Sequence, residues 1–377
     1  MTPMDDTPPT NLRIPGPTPI PPEVRRALSR QMINHRGSDY AALQREVLEG
    51  LRHFYQTEQQ VLLFAASGTG GLEAAVVNTL SPGQPVLAVT IGVFGERFAR
   101  IAETYGAHVH RLAVPWGEAA RPEMLASALE EVRPKAVLLT CNETSTGVMN
   151  DIPALLAAIR QASHQPLVLV DAVSALGAVD LPMDELGIDV LISGSQKAWM
   201  APPGIAMLGV SARAMEAATS ATTPRFYFDF AKQATAQAKG QDAWTPAVSV
   251  MYALQAALQL MRAEGREAIV ARHQRIATLT QRGLEDLGFS LFAEHGYRSR
   301  TVTAARPPHG VDAKALSAWA RTERHVVLAG GQDRLEGKII RVGHMGWVEE
   351  AHIVEALDAL RAGLGALGTR AHSVASR

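Results

Sequence analysis

Two apolar runs, PLVLVDAV (166–173) and DVLISGS (189–195), decide the fold of this chain. Neither run alternates apolar and polar residues, so each predicts a strand that is buried on both faces of a sheet. Similar runs precede helix-period segments at VLLFAAS (61–67), PVLAVT (85–90) and KAVLLTC (135–141). This alternation predicts an α/β fold in which helices flank a mostly parallel sheet.

The run GIAMLGV (204–210) follows DVLISGS after only a short loop. A parallel connection needs a crossover of a dozen or more residues, usually a helix, and the loop leaves no room for one. We therefore expect this strand to run antiparallel to its neighbour.

The length of 377 residues favours two compact units. We predict an N-terminal arm over 1–20, a large domain over 21–263 and a smaller C-terminal α+β domain over 264–377. Prolines exclude a regular helix or a central strand from the arm. They are Pro3, Pro8, Pro9, Pro15, Pro17 and Pro19.

Helical periodicity predicts a first helix after Pro21-Pro22, over EVRRALSRQM (23–32), and a second over roughly 39–55. Long helices are predicted from Pro246 to Leu287, and a terminal helix over 348–363. The glycine-rich end, GALGTRAHSVASR (365–377), predicts a mobile tail.

The composition excludes several classes of protein. Lys and Arg number 36 and Asp and Glu 37, so no excess of positive charge favours nucleic acid or anionic lipid. No apolar run approaches the ~20 residues of a membrane span, and the start of the chain does not resemble a signal peptide. Cys141 is the only cysteine, which excludes an internal disulfide and a multi-cysteine metal site. We expect a cytoplasmic protein without a metal.

A glycine-rich turn, Ser67-Gly68-Thr69-Gly70-Gly71, lies between the first buried run and a helix. Glycines allow close backbone approach, and a helix start offers free N–H groups and a positive dipole end. The turn suits a phosphate, although it matches neither the dinucleotide nor the Walker pattern and could be only a tight connection.

Two ionisable residues follow the strands that opened this description. Asp171 ends PLVLVD, where a buried carboxylate is costly unless it is paired; it could hold a cationic ring nitrogen or a metal, or cap a turn. Lys197 follows the small residues Ser193-Gly194-Ser195, and desolvation there would make its amine a nucleophile. A surface lysine is the alternative. Together, the turn, the aspartate and the lysine match what pyridoxal phosphate needs.

Six segments then point to one family. ASGTGGLEAAVVN, GVFGERF, NETSTGV, VDAVSALG, SGSQKAWMAPPG and RVGHMG occur in this order. As a set they resemble the class V, fold-type I pyridoxal phosphate aminotransferases, most closely the alanine–glyoxylate and serine–pyruvate or serine–glyoxylate branch. The resemblance runs from GPTPIPPEV (16–24) to the terminal helix.

The resemblance implies roles for named residues. Lys197 resembles the lysine that forms the aldimine and moves the proton, and Asp171 the partner of the pyridine nitrogen. Arg341 resembles the arginine that binds the substrate carboxylate, and Gly16 a residue that lines the substrate pocket through its backbone. The remaining cofactor-binding positions implied by the family are Ser67, Gly68, Thr69, Phe94, Thr144, Val173 and Gln196.

The family also implies a homodimer whose active sites are shared. The matching segment is QDAWTPAVS (241–249), which carries Trp244 and Thr245 where relatives often have a tyrosine and a threonine. Thr245 is our candidate for contact with the partner's phosphate. The polar cluster Asn34-His35-Arg36 could also reach the pocket or could lie on the surface.

We therefore expect a ping-pong transamination from a small amino acid, alanine or serine, to glyoxylate or pyruvate. Ureidoglycine or aminophosphonate transamination and a lyase reaction stay open as alternatives. A cysteine desulfurase needs an exposed thiolate, whereas Cys141 ends a predicted buried strand. A silent cofactor carrier is disfavoured by the presence of Lys197, Asp171 and Arg341.

Overall fold

The computed structural model describes residues 10–374, with side chains up to residue 367. Pro3, Pro8 and Pro9 of the predicted arm, and the last three residues of the predicted tail, lie outside the described residues. The strands are β1 Asn11–Arg13, β2 Gln60–Phe64, β3 Pro85–Thr90, β4 His108–Ala113, β5 Ala136–Thr140, β6 Asn142–Glu143, β7 Val148–Met149, β8 Leu167–Asp171, β9 Val190–Gly194, β10 Ala206–Val210, β11 Ser290–Leu291, β12 Val302–Arg306, β13 Val326–Gly330 and β14 Ile340–Gly343.

The helices occupy the segments between these strands. They are α1 Pro22–Leu28, α2 Ser38–Tyr55, α3 Gly68–Thr79, α4 Val93–Thr104, α5 Pro122–Val132, α6 Ile152–Gln161, α7 Met183–Leu186, α8 Ala212–Ser220, α9 Phe230–Gln237, α10 Val248–Glu264, α11 Arg266–Asp286, α12 Ala313–Arg324 and α13 Glu350–Val374. A short 3-10 helix covers Asp333–Leu335. None of the helices in the described part of the chain has the length and apolar character needed to cross a bilayer.

The larger sheet has seven strands in the order β2-β10-β9-β8-β5-β3-β4. Strands β4, β3, β5, β8 and β9 are parallel, and β10 is antiparallel to both of its neighbours. The predictions of a mostly parallel sheet and of an antiparallel strand at 204–210 are both confirmed.

Helices cover both faces of this sheet, as the apolar strands require. Along β5, Val137 and Leu139 join one core cluster while Ala136 and Leu138 join another. Successive side chains of a strand point to opposite faces, so a strand buried on both sides must be apolar throughout.

The smaller sheet has five strands in the order β1-β13-β14-β12-β11. Strand β1 of the N-terminal arm pairs in parallel with β13, so Leu12 lies opposite Val327. An edge position suits a segment rich in proline, because proline cannot donate to a central ladder. The predicted domain boundaries after residues 20 and 263 stay predictions.

The terminal helix is longer than predicted, because α13 continues to Val374 and includes most of the segment that was predicted as a tail. A Cβ on Gly363 would lie 2.7 Å from Leu316 and 2.9 Å from Trp319. The glycine therefore permits close packing between α12 and α13 instead of ending the helix. The first helix is shorter than the sequence suggested and ends at Leu28.

Candidate active site

The predicted site residues follow strands whose carboxyl ends meet at one edge of the larger sheet. Asp171 closes β8, Lys197 lies just past β9, and Ser67 follows β2 across the antiparallel β10. Ligands of open α/β sheets bind outside this edge. The topology thus places the aspartate, the lysine and the glycine-rich turn at the same edge of the sheet.

The glycine-rich turn has the form of an anion cradle. Helix α3 begins at Gly68, and its first intrahelical N–H bond is that of Gly71 to the Ser67 carbonyl. The preceding N–H groups at the helix start are therefore free to bind an anion. A Cβ on Gly68 would lie 2.7 Å from Val173 Cγ2, so the close packing of the turn against Val173 requires glycine.

Gln196 lies beside this cradle. A Cβ on Gly194 would be 3.1 Å from Gln196 Oε1 and 3.5 Å from the Gly68 nitrogen. Gln196 Oε1 is buried without a hydrogen-bond partner among the described residues. A buried polar atom without a partner is expensive, so its position next to free N–H groups fits a site built for a polar ligand.

The amine of Lys197 is held by the N-terminal arm. Its Nζ donates a hydrogen bond to the Pro15 carbonyl at 2.6 Å. Burial lowers the pKa of Lys197 to about 8; Asp171 raises it, whereas Arg341 and Arg97 lower it further. A neutral fraction of the amine is thus present near neutral pH, as a nucleophile or proton carrier needs.

Gly16 lies directly against this lysine. A Cβ at this position would come within 2.7 Å of Lys197 Nζ, and the φ of Gly16 is +129°, where other residues are strained. Thr18 joins the arm to the backbone beside the lysine. Its N–H donates to the Gln196 carbonyl, and its hydroxyl donates to the Lys197 carbonyl. The arm therefore shapes the space around the amine.

The carboxylate of Asp171 is buried but only half bonded. Its Oδ1 accepts from the Val173 N–H at 2.9 Å, while no partner for Oδ2 is found in the part of the chain described. Burial raises the pKa of Asp171 to about 6; Glu143 adds to this rise, and the Val173 N–H, Lys197 and Arg97 oppose it. A half-satisfied carboxylate at this place suits a cationic N–H group of a ring.

Arg341 lies on β14 and is buried. Its Nε donates to the Gly330 carbonyl, and its Nη1 donates to the Thr144 carbonyl and to Gln332 Oε1, at 2.8–3.1 Å. Burial lowers its pKa to about 10, and Glu143 opposes that shift. Three protein acceptors fix the guanidinium, and Nη2 has no partner within the described residues. That group is available to a carboxylate.

Phe94 and Thr144 belong to neighbouring loops of the same edge. Phe94 is half-buried at the start of α4, and its backbone N–H donates to Glu143. The Thr144 hydroxyl donates to Ser174 Oγ at 2.9 Å. The structure therefore anchors both residues, and their contact with a cofactor ring stays a prediction.

The predicted residue Thr245 lies apart from this group. Thr245 is exposed, and no hydrogen bond joins it to the cradle of its own chain in the described structure. Trp244 donates from Nε1 to the Tyr227 carbonyl and stacks on Phe226. Contact of Thr245 with a partner's phosphate thus stays a prediction.

The cluster Asn34-His35-Arg36 also lies outside the group around Lys197. Arg36 is exposed and donates to the Gln241 side chain and to the Asp242 carbonyl. Asn34 accepts from the Arg36 N–H. The cluster fastens the loop before α2 to the segment that carries Thr245.

Sequence reasoning missed two charged residues. Glu143 is fully buried, and its carboxylate accepts the N–H groups of Phe94 and Gly95 at 3.1 Å and both the N–H and hydroxyl of Ser145. Burial raises its pKa, and these donors lower it. The signal in the sequence was an acidic residue three positions after the end of the buried strand β5. Arg97, in GVFGERF, is the second.

Comparison with known proteins agrees with this geometry. A model of the family described as "Aminotransferase class-V" matches residues 12–335. The chain is 39% identical to the L-aspartate–glyoxylate aminotransferase of Paracoccus denitrificans, over 90% of this chain and 87% of that protein. The solved structure of alanine–glyoxylate aminotransferase from Nostoc sp. is 32% identical, with a TM-score of 0.91, over 97% of both chains.

A further relative carries a different name. The chain is 41% identical to "Soluble hydrogenase, small subunit" from a Synechococcus species, over 95% of this chain and 93% of that protein. Cys141 is buried, and one thiol cannot hold a four-cysteine iron–sulfur cluster. The family match, the fold and the residues around Lys197 agree instead with one assignment: the chain belongs to the class-V aminotransferases and is a transaminase of fold type I that uses pyridoxal phosphate.

Proposed function

We propose that this chain transfers the amino group of a small amino acid, alanine or serine, to glyoxylate or pyruvate in two half-reactions. The observation that carries the proposal is the position of the Lys197 amine. It is buried, has a lowered pKa, lies against Gly16, and is electrostatically coupled to Asp171 and Arg341. An amine in that setting can take and return a proton at the substrate Cα.

The residues present fit pyridoxal phosphate. The free N–H groups of the cradle, the Ser67 and Thr69 hydroxyls and Gln196 would hold its phosphate. Its ring would lie between Phe94 and Val173, with Thr144 near the ring, as the family resemblance implies. When bound, the cofactor supplies an electron sink for the carbanion that forms at the substrate Cα.

Asp171 and Lys197 have distinct roles in this proposal. The free oxygen of Asp171 would accept the N–H of the bound ring, and its negative charge would keep that nitrogen protonated. Lys197 removes the proton from the substrate Cα with Nζ and later delivers it. Burial makes the second role possible, because an ordinary lysine amine is protonated at neutral pH.

Arg341 is proposed to bind the substrate α-carboxylate through its free Nη2. The three bonds to protein acceptors hold the guanidinium in one orientation, so little conformational freedom is lost when the carboxylate binds. The carboxylate then keeps the Cα–H bond within reach of Lys197.

A small side chain is supported by the distribution of positive charge. The cations that influence the Lys197 amine within the described chain are Arg341 and Arg97. Arg97 donates to Thr69 and covers Phe94, beside the glycine-rich turn proposed to hold the phosphate. Within the described residues, neither of these two cations is left over to bind a side-chain carboxylate. Glyoxylate as acceptor is supported by the names of two of the relatives described above.

A desulfurase reaction is not supported. Cys141 is 1% exposed, and burial together with Asp171 raises the pKa of its thiol to about 12. A nucleophilic cysteine needs the opposite, an accessible thiolate.

Substitution of Lys197 by Ala tests the central claim. We expect the visible absorbance of the bound cofactor to change and amino transfer to fall by at least about 10²- to 10⁴-fold, the usual contribution of a general base. Lys135→Ala is the matched control, because Lys135 is exposed at the start of β5, the opposite edge of the sheet. Full activity in the Lys197→Ala protein would contradict the proposal.

The choice of substrate needs a separate measurement. Alanine, serine, aspartate, ureidoglycine and an aminophosphonate should each be offered with glyoxylate and with pyruvate, while the cofactor spectrum is followed. We expect alanine or serine to give the highest kcat/KM. A higher value for aspartate, the donor named for the Paracoccus denitrificans relative, would refute the assignment of a small side chain but not transamination itself.

A further inference from the structure

Arg97 is a charged side chain of the site that no role above requires. It lies on α4, one turn after Phe94, and is half-buried. Its Nη1 donates to the Thr69 hydroxyl at 3.3 Å, and its guanidinium lies 4.7 Å from the centre of the Phe94 ring. It therefore connects the anion cradle with the residue expected to cover the cofactor ring.

Arg97 forms no ion pair with a carboxylate of the described residues, whereas Arg111, on the neighbouring β4, binds both Glu96 and Glu103. The one hydrogen-bond acceptor of Arg97 among the described residues is the neutral Thr69 hydroxyl. An anionic ligand in the cradle would supply the missing negative charge.

Two further observations place the charge toward the site. Arg97 lowers the pKa of both Lys197 and Asp171, so its field reaches the catalytic pair. Thr69, which accepts its hydrogen bond, belongs to the first turn of α3, whose free N–H groups form the cradle. The guanidinium and the helix start thus approach the same place from two helices.

We propose that Arg97 is a phosphate-binding residue, and that it contributes to cofactor affinity by pairing with the phosphate dianion. This inference rests on the pyridoxal phosphate binding of the proposed function. A guanidinium suits phosphate because its planar N–H groups bind two oxygens at once and its charge persists at every physiological pH.

The alternative role for Arg97 is purely structural support of the Phe94 ring. The two roles differ in what they predict for a ligand without phosphate. A charge pair with phosphate strengthens binding of pyridoxal phosphate and leaves pyridoxal unaffected. Support of the ring would strengthen both ligands equally, because both carry the same pyridine ring.

The test compares the two ligands on full-length protein from which the cofactor has been removed. Arg97→Met keeps an unbranched side chain over Phe94 and removes the charge. We expect its dissociation constant for pyridoxal phosphate to rise about tenfold or more, as loss of a charge-assisted hydrogen bond predicts. The dissociation constant for pyridoxal should stay within about threefold. Inorganic phosphate should compete with pyridoxal phosphate less well than in the unaltered protein.

Two further variants complete the experiment. Arg100→Met removes an exposed arginine one turn along α4 and should leave both affinities unchanged. Arg97→Lys keeps a cation and should retain most of the preference for pyridoxal phosphate over pyridoxal. If Arg97→Met does not fold, the comparison of the two ligands is made with Arg97→Lys. Equal weakening of both ligands, or unchanged binding of both, overturns the inference. Failure of the unaltered protein to bind pyridoxal phosphate overturns the proposed function as well.

Discussion

Replacement of Asp171 by Asn should stabilise the cofactor-free protein at pH 8. The same substitution should abolish the transaminase activity of the protein with cofactor bound. The carboxylate is 5% exposed and has one hydrogen bond, from the Val173 N–H. An asparagine of the same shape keeps an oxygen for that N–H and carries no charge. The substitution therefore removes a buried charge without creating a cavity.

The size of the effect follows from the pKa of Asp171. Burial raises it from 3.8 to about 6, a difference of about 2 pH units or ~3 kcal/mol. A raised pKa in the folded state means that the protonated carboxyl is the favoured form. The stability that the protonated Asp171 carboxyl contributes is therefore fully present below about pH 4 and is lost as pH rises through 6.

The expected change in melting temperature is about 4 °C. Unfolding entropy is about 2.1 cal/mol/K per residue, and for 377 residues a change of ~3 kcal/mol corresponds to that shift. At pH 8 the Asp171→Asn protein should melt about 4 °C above the unaltered protein. Near pH 4, where the unaltered carboxyl is protonated, the two melting temperatures should converge.

Thermal unfolding of the cofactor-free proteins between pH 4 and pH 8 measures this difference. Asp39→Asn, at an exposed carboxylate of α2, is the control and should not alter the pH dependence. With pyridoxal phosphate bound, the order should reverse, because only the aspartate can pair with the protonated ring nitrogen. The reasoning is refuted if the difference in melting temperature is the same at pH 4 and pH 8, or if the cofactor-free variant is the less stable at pH 8.

Two other substitutions test the supports of the site. Glu143→Gln should lower the free energy of unfolding by about 3 kcal/mol, which a lower melting temperature would report. Each carboxylate oxygen of Glu143 accepts two hydrogen bonds. A glutamine has one accepting oxygen, so two buried donors would lose their acceptor. Gly16→Ala should lower kcat about 100-fold or more while the fold persists. The new Cβ would lie 2.7 Å from Lys197 Nζ and would displace the amine. A displacement of about 1 Å at a reacting group can reduce the rate by about that factor.

Each of these substitutions has a matched control. Glu123→Gln alters an exposed glutamate of α5 and should leave the melting temperature unchanged. Gly296→Ala introduces the same methyl group at a φ of +91° with no atom within 4 Å, so it reports backbone strain without the contact with the lysine. Equal loss of activity in the two alanine proteins would show that contact with the lysine is irrelevant. An unchanged melting temperature for Glu143→Gln would contradict the role given to that carboxylate.

The sequence by itself predicted six of the seven strands of the larger sheet and the residues at its edge; the edge strand β4, which is not an apolar run, was not predicted. Strands such as Leu167–Asp171 are continuous apolar runs, and the length of the connecting segment decides between parallel and antiparallel pairing. These are local properties of the chain. Because the ends of parallel strands meet at one edge, the sequence also placed Asp171 and Lys197 together.

Only the tertiary structure decided what surrounds these residues. The hydrogen bond from Lys197 to the Pro15 carbonyl and the contact with Gly16 join segments far apart in sequence, and no local pattern signals them. Glu143 and Arg97 could be recognised as part of the site only in the folded structure, because their burial and their partners depend on how α4 packs beside the β5–β8 loops. The helix that continues past Gly363 has the same cause. Burial and long-range contact set these pKa values and this packing, and both exist only in the folded chain.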